Sequence, residues 1–268
     1  MKKLSLILIA ILGIAAGKKE FYQQNTKPIM VHEQLSSAPA YQVGEQLQYR
    51  VHYGWLDAGI ATIEVRKAKD TPVANKNLLH MVGVGKTTGA FDWFYKVRDR
   101  YETYINPSSG LPEAFLRRVN EGGFIINRDY VFDQANKKVK TNKGEFDTPE
   151  NVQDLLSSFY YLRNIDMTKA KPGDVFQANA FMDYEIYPFQ VKYLGKEVVE
   201  VDAGEFKCYK FVPVVQKGRV FKDEEDLKVW ITCDQNKIPV LAQAEVLVGS
   251  IKMELTSYKG LGAPVAAL

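Results

Sequence analysis

The sequence has few of the side chains that metal, redox and covalent chemistry usually require. Its 268 residues include only two cysteines and three histidines. The histidines, His32, His52 and His80, stand alone, and no His-x-x-x-His, His-x-His or Cys-x-x-Cys spacing occurs. Gly-x-Ser-x-Gly, the phosphate loop and the dinucleotide fingerprint are also missing. We therefore expect no metal site, no cofactor and no catalytic residues.

The sequence also lacks a charge excess of either sign. It has 35 basic and 32 acidic residues, for a net charge of +3. This balance excludes a protein that binds nucleic acid through bulk charge. The hydrophobic fraction of 46% and the charged fraction of 25% are those of a folded globular protein, and they exclude a disordered chain.

No apolar run is long enough to span a membrane. The longest early run, Leu4 to Ala16, follows Met1-Lys2-Lys3 and precedes Gly17. A basic start, a short apolar run and small residues at its end predict a signal peptide over residues 1–17. A membrane anchor is the alternative, but a spanning helix needs roughly 18–20 apolar residues. We expect an exported protein, periplasmic or extracytoplasmic, with a weakly ordered N-terminal arm over residues 18–40.

Alternation of apolar and polar residues dominates from Tyr41 onward. Leu47, Tyr49 and Val51 fall on one face of a predicted strand, and polar residues fall on the other. Many such short segments with Gly, Pro and Asn between them predict a mainly β fold. We expect one domain over residues 41–258, made of curved antiparallel sheets or two half-barrel-like β halves (41–147 and 171–258), and a C-terminal tail over 259–268.

One segment, about residues 149–163, has helical spacing instead. Thr148 is a candidate N-cap, Pro149 follows it, and apolar residues recur every three or four positions as far as Leu162. This predicts a central amphipathic helix that buries its apolar stripe on the sheets. A shorter helical turn is predicted at Ala90–Tyr95.

A faint repeat relates the two predicted halves. Val43-Gly44-Glu45 resembles Pro172-Gly173-Asp174, and Asp57-Ala58-Gly59 resembles Asp202-Ala203-Gly204. Two similar β halves on either side of the helix would explain it. Chance recurrence of Gly-acid turns explains it equally well.

The two cysteines fall in neighbouring predicted strands. If Phe211 lies opposite Trp230 in a hairpin, then Cys208 lies opposite Cys233. Opposed positions meet the distance that a disulfide needs, and export favours oxidation. A disulfide is one interpretation, and a pair of buried free thiols is the other.

Aromatic side chains are the most informative candidates for a binding site. They cluster at the first predicted turn, before the strand that follows residue 95, and on the central helix. Core packing would account for them, but an apolar groove for a lipid, glycan or peptide would too. The candidate ligand-binding residues are Tyr49, Tyr53, Trp55, Trp93, Phe94, Tyr161 and Arg163.

Three stretches together resemble the bacterial exported family named domain of unknown function 3108. They begin at Val43-Gly44-Glu45, Asp154-Leu155-Leu156 and Ala203-Gly204-Glu205, and the last leads to Val229-Trp230-Ile231-Thr232. The resemblance covers roughly residues 41 to 258. It implies an envelope location and a mostly β fold, and it carries no catalytic residue onto this chain.

Three functions remain open at this point. The first is a non-enzymatic envelope protein that binds an apolar or amphipathic ligand on a concave, aromatic-lined sheet. The second is a structural or assembly factor that binds an envelope protein through a sheet edge or the N-terminal arm. The third is a glycan or lipid hydrolase, for which an acidic group such as Asp92, Asp99 and Glu102 could supply paired carboxylates.

Overall fold

A computed structural model of the chain describes residues 27–213, 226–245 and 249–268, so the predicted signal peptide lies outside the described residues. Fifteen strands in these ranges form one curved sheet. The strands of the first half are β1 (Ile29–Met30), β2 (Gln46–Tyr53), β3 (Leu56–Lys67), β4 (Leu79–Thr87), β5 (Arg98–Ile105), β6 (Pro112–Glu121), β7 (Phe124–Asp133), β8 (Lys138–Thr141) and β9 (Gly144–Asp147). Those of the second half are β10 (Val175–Met182), β11 (Glu185–Val201), β12 (Gly204–Pro213), β13 (Leu227–Thr232), β14 (Pro239–Glu245) and β15 (Ser250–Lys259).

The sheet consists of two antiparallel meanders joined side by side. Strands β2 to β9 form one meander and β10 to β15 form the other, and β15 pairs with β2. Strand β1 lies at one edge and pairs with β10 in parallel. The prediction of a mainly β fold with curved antiparallel sheets is therefore confirmed.

Two α-helices interrupt the strands in the described part of the chain. Helix α1 (Gly89–Phe94) is the predicted short turn between β4 and β5. Helix α2 (Leu155–Arg163) is the central helix, and it packs against β5 and β10. Because these strands are far apart in the sheet order, the sheet must curve around α2. Helix α2 lies on the concave face, and most of its side chains are buried along its whole length.

The central helix begins later than its sequence predicts. Its N-cap is Asp154, not Thr148. The backbone of Gln153 instead bonds to β10, donating to Asn179 O and accepting from Phe181 N. This pairing keeps the residues before Asp154 extended, and it overrides the helix-start signal of Thr148-Pro149.

The alternation of the sequence corresponds to the two faces of the sheet. Leu47, Tyr49 and Val51 are buried in the main hydrophobic core, between the concave face and α2. A second core lies at the far side of the helix, where Tyr161 and Ile165 pack against β10 to β13. The inward apolar residues of the strands thus share a core with the helix, as period-2 alternation allows.

Both ends of the described chain are packed onto the domain. Strand β1 pairs with β10, Val31 is fully buried, and the Ala40 N–H donates to Asn164 Oδ1. At the other end, Leu268 N donates to Glu205 O. Residues 18–26 of the predicted arm lie outside the described residues, and residues 27–40 contact the domain at these points. Val31 has an apolar pocket to fill, and this holds the segment in place.

The two β halves begin with the same backbone turn. Gly44 and Gly173 have φ angles of 100° and 101°, which favour glycine. In each turn the glycine N–H donates to a carbonyl of the following hairpin, Val65 O or Tyr193 O. The Asp-Ala-Gly segments do not correspond in this way, since Ala58 lies within β3 and Ala203 lies in the turn between β11 and β12. The similarity of the complete halves stays a prediction.

The predicted register of the cysteine hairpin is wrong by one residue. Phe211 pairs with Val229, and Cys208 pairs with Thr232. A shift of one residue turns a side chain to the other face of a sheet. Cys208 accordingly packs beneath the C-terminal tail with Trp230, whereas Cys233 packs on the concave side. Both are free thiols in the structure.

Candidate functional site: an apolar cavity beneath the central helix

The N-terminus of α2 is held by a buried polar cluster. Asp154 Oδ1 accepts hydrogen bonds from the backbone N–H groups of Leu156 and Ser157, and the Ser157 hydroxyl accepts one from Asp154 N. Thr103 Oγ1 on β5 donates to Asp154 Oδ2 at 2.5 Å. Burial raises the pKa of Asp154 to about 6, although these hydrogen bonds oppose the shift. The capping box of Asp154 and Ser157 closes the start of the helix, and the Thr103 hydrogen bond fixes that start to β5.

The C-terminus of α2 is held by a buried ion pair. Arg163 Nη1 and Nη2 lie 2.7 and 2.8 Å from the two carboxylate oxygens of Glu45, which directly precedes β2. Nη2 also donates to Ala40 O and Asn236 O. Burial alone would lower the pKa of Arg163, but the Glu45 carboxylate outweighs it and the net change is upward. A bidentate pair of this kind specifies position and angle together.

Between its two fixed ends, α2 roofs an apolar cavity of about 80 Å³. The helix contributes Leu155, Phe159 and Leu162, and the sheet forms the floor. Apart from Arg163, every lining side chain is apolar. The floor and walls are formed by Ile63, Ile165, Phe189, Val191, Phe211, Pro213, Val229, Ile231, Pro239, Ala242 and Met253.

The chemistry of this cavity is that of a hydrocarbon environment. The guanidinium N–H groups of Arg163 are directed to Glu45, Ala40 and Asn236, and only its buried Nε lacks a partner among the residues that the structure describes. No lining residue is a nucleophile, a carboxylic acid or an imidazole. The cavity can therefore hold an apolar group, and its lining offers no general acid or base.

Of the seven candidate ligand-binding residues, only Arg163 lines this cavity. Tyr49 is fully buried in the core, where its hydroxyl donates to Pro239 O. Tyr161 packs in the second core on another side of the helix. Tyr53 is half-buried against Phe91.

The other three candidates, Trp55, Trp93 and Phe94, are exposed at one end of the sheet. The cavity-lining residues that the sequence analysis did not identify are mostly aliphatic, and most of them lie on β11 to β15. The helical stripe of Leu155, Phe159 and Leu162 was the available signal for the cavity.

A second polar cluster lies inside the first β half. Asp99 on β5 and Glu121 at the end of β6 are both buried, and neither carboxylate oxygen of Glu121 has a hydrogen-bond partner among the residues that the structure describes. A buried carboxylate that accepts no hydrogen bond favours its neutral, protonated form. Burial raises the pKa of both groups, and the Asp99 charge raises that of Glu121 further. Neither residue lines the cavity beneath α2.

Residues 27–213, 226–245 and 249–268 contain no group of three or more His, Cys, Asp or Glu side chains placed to hold a metal ion. The helices in these ranges are all too short or too polar to cross a bilayer.

The sequence matches the family model described as protein of unknown function (DUF3108) over residues 48–256. The match spans most of the chain and includes both β meanders and α2. The chain belongs to the DUF3108 family. No curated protein matches the sequence of this DUF3108 protein.

One of the solved structures that match this DUF3108 protein has a TM-score high enough to show a shared fold. A beta-barrel-like protein of domain of unknown function DUF1849 from Brucella abortus is 12% identical, with a TM-score of 0.54. The alignment covers 82% of this chain and 98% of that one. This likeness extends the fold beyond the family, and at this identity it shows the fold alone.

Two further structures are less similar. A DUF1089 family protein from Pseudomonas aeruginosa is 10% identical over 76% of this chain and 92% of its own, with a TM-score of 0.38. A Bacteroides fragilis protein described as exported, with a YmcC-like fold, is 12% identical over 85% and 99%, with a TM-score of 0.32.

Proposed function

We propose that this DUF3108 protein is an exported, non-enzymatic protein of the cell envelope that binds a hydrocarbon chain, such as the acyl chain of a lipid. The observation that carries the proposal is the cavity beneath α2. All its lining side chains but Arg163 are apolar. Apolar cavities stay dry, and one of about 150 Å³ binds small apolar molecules.

The way in which α2 is held supports a binding role. Its two ends are fixed by the Asp154 cluster and by the Arg163–Glu45 pair. Its middle, at Phe159, is only half-buried although it roofs the cavity. Because the two ends of α2 are fixed and the Phe159 ring is only half-buried, that ring can move aside to admit a ligand. The ligand then gains apolar contacts that the empty cavity lacks.

The location outside the cytoplasm rests on the sequence of residues 1–17. A basic start, an apolar run and small residues predict export of the chain. A hydrocarbon-binding protein in that compartment would encounter envelope lipids.

The other two functional hypotheses have weaker support. The sheet edges are poor docking sites because β1 has two residues and β9 has four, with Glu145 and Asp147 exposed on β9. The Asp99–Glu121 pair would suit a hydrolase chemically, but it is buried away from the cavity.

The proposal is tested by filling the cavity. Ala242→Met places a longer side chain on the cavity floor, and Gln243→Met places the same side chain on the opposite face of β14. Binding of a naturally fluorescent polyene fatty acid is measured by titration for the wild type and both variants. We expect Ala242→Met to weaken binding roughly tenfold or more, and Gln243→Met to leave it unchanged.

Two results would overturn the proposal. One is the absence of saturable binding to the wild type. The other is equal binding by Ala242→Met and the wild type, provided that both variants show the wild-type circular dichroism spectrum.

A further inference from the structure

The largest exposed apolar side chains gather at one end of the sheet. Trp55 and Trp93 are 89% and 91% exposed, and four smaller apolar residues around them are also exposed. We call this set the apolar end patch. It consists of Trp55, Leu56, Trp93, Phe94, Phe124 and Ile125.

Three separate segments bring the patch together. Trp55 and Leu56 lie at the β2–β3 hairpin, Trp93 and Phe94 on α1, and Phe124 and Ile125 at the start of β7. Tyr53 of the first hairpin packs edge-on against Phe91 of α1, with ring centroids 6.2 Å apart. The β6–β7 turn joins the same surface, since Gly122 N donates to Lys96 O just after α1.

The β2–β3 and β6–β7 hairpins each turn tightly at a glycine directly before an exposed residue of the patch. Gly54, directly before Trp55, has a φ of 59°, and Gly123, directly before Phe124, has a φ of 89°. Both angles favour glycine and allow tight turns. Phe91 and Tyr53 pack beneath the surface and leave the two tryptophans at the outermost positions. Exposed apolar side chains gathered in this way on a folded chain mark a candidate interaction site.

The charges beside the patch favour an anionic partner. Two acids beside it have arginine partners, because Arg98 donates to both oxygens of Asp92 and Arg50 Nε lies 3.8 Å from Asp57 Oδ1. Lys86 and Lys96 are exposed and form no ion pair with any residue that the structure describes. The patch thus combines exposed tryptophan with uncompensated lysine.

We infer that the apolar end patch docks onto the surface of a phospholipid bilayer that contains anionic headgroups. Tryptophan is enriched at the boundary between hydrocarbon and water because its ring is apolar and its N–H is polar. Phe94, Phe124 and Ile125 enter the outer hydrocarbon, and the lysines contact lipid phosphates. This docking is independent of whether the cavity beneath α2 holds a ligand.

The test uses the full chain and vesicles of defined composition. The vesicles are pure phosphatidylcholine, or phosphatidylcholine with one quarter phosphatidylglycerol, and each is also prepared with brominated acyl chains. Trp230 is buried and serves as an internal reference for Trp55 and Trp93. We expect a blue shift of the emission and quenching by brominated lipid, both stronger with phosphatidylglycerol and weaker at high salt.

Matched variants separate this patch from other apolar surface. Trp55→Ala with Trp93→Ala should lower the vesicle partition coefficient roughly tenfold or more, whereas Val43→Ala with Val198→Ala should not. Val43 and Val198 are about half exposed and lie outside the patch. Lys86→Gln with Lys96→Gln should weaken binding to the phosphatidylglycerol vesicles and leave binding to phosphatidylcholine unchanged.

Three outcomes would overturn the inference. The wild type shows no quenching by brominated lipid, or the double tryptophan variant partitions like the wild type. In the third, the wild type forms a concentration-dependent dimer that the tryptophan variant loses, without vesicle binding by either. The patch would then be an interface between copies of this chain.

Discussion

The buried ion pair between Arg163 and Glu45 gives the sharpest stability prediction. The Glu45 side chain is fully buried, and that of Arg163 is 2% exposed. Glu45→Gln keeps the shape but removes the negative charge, so that Arg163 is left buried without a counter-charge. Breaking a buried pair in this way costs about 3–5 kcal/mol. This is a large fraction of the roughly 5–15 kcal/mol that stabilises a typical folded chain.

The assay is urea unfolding followed by the fluorescence of the buried Trp230. With a slope of about 2–3 kcal/mol per M, the midpoint should fall by roughly 1–2.5 M. The exposed Arg66–Glu64 pair is the control, and Arg66→Gln should cost less than about 1 kcal/mol. Glu45→Gln combined with Arg163→Met should cost less than the sum of the single changes. A loss below about 1 kcal/mol for Glu45→Gln would refute the account of how α2 is held.

Three further predictions concern other parts of the structure. Asp154→Ala removes the helix cap and its bond to Thr103 and should destabilise the fold by about 1–2 kcal/mol in urea unfolding, whereas equal stability would contradict the capping assignment. The pKa of Glu121 is raised above its unfolded value of 4.5, so the folded chain keeps a proton that the unfolded chain releases. The free energy of unfolding should therefore fall by up to about 1.4 kcal/mol per pH unit as the pH rises above that value, and Glu121→Gln should flatten this dependence. Cys208 and Cys233 should titrate as two free thiols in the denatured, unreduced protein, and no reaction would indicate a disulfide.

The fold was largely predictable because its signal is local. Alternation in Gln46–Tyr53 places Leu47, Tyr49 and Val51 on the buried face, and the structure agrees. The start of α2 was not predictable, because the pairing of Gln153 with β10 depends on residues far away in sequence. The pairing of Gln153 with β10 outweighs the local capping signal at Thr148.

The predicted register of Cys208 and Cys233 is wrong for a related reason. A tight turn fixes the register of a hairpin, but the connection between Pro213 and Leu227 is too long to do so. The sequence alone therefore does not determine on which face of the sheet the Cys233 side chain lies.

The site was less predictable than the fold. The cavity is formed by small or aliphatic residues such as Ala242 and Val229, which resemble ordinary core residues in any strand. The aromatic residues were conspicuous in sequence, yet Tyr49 fills the core and Trp55 lies on the surface. Only the curvature of the sheet around α2 decides which residues face the cavity, and no local pattern encodes it.

The central claim is that the cavity beneath α2 holds a hydrocarbon chain. Mass spectrometry of an organic extract of the purified protein tests it most directly, with Ala242→Met and Gln243→Met purified in parallel. The account predicts one class of acyl-chain lipid in near-stoichiometric amount from the wild type and Gln243→Met, and its loss from Ala242→Met. Equal amounts from all three proteins, or no lipid from any of them, would contradict the account.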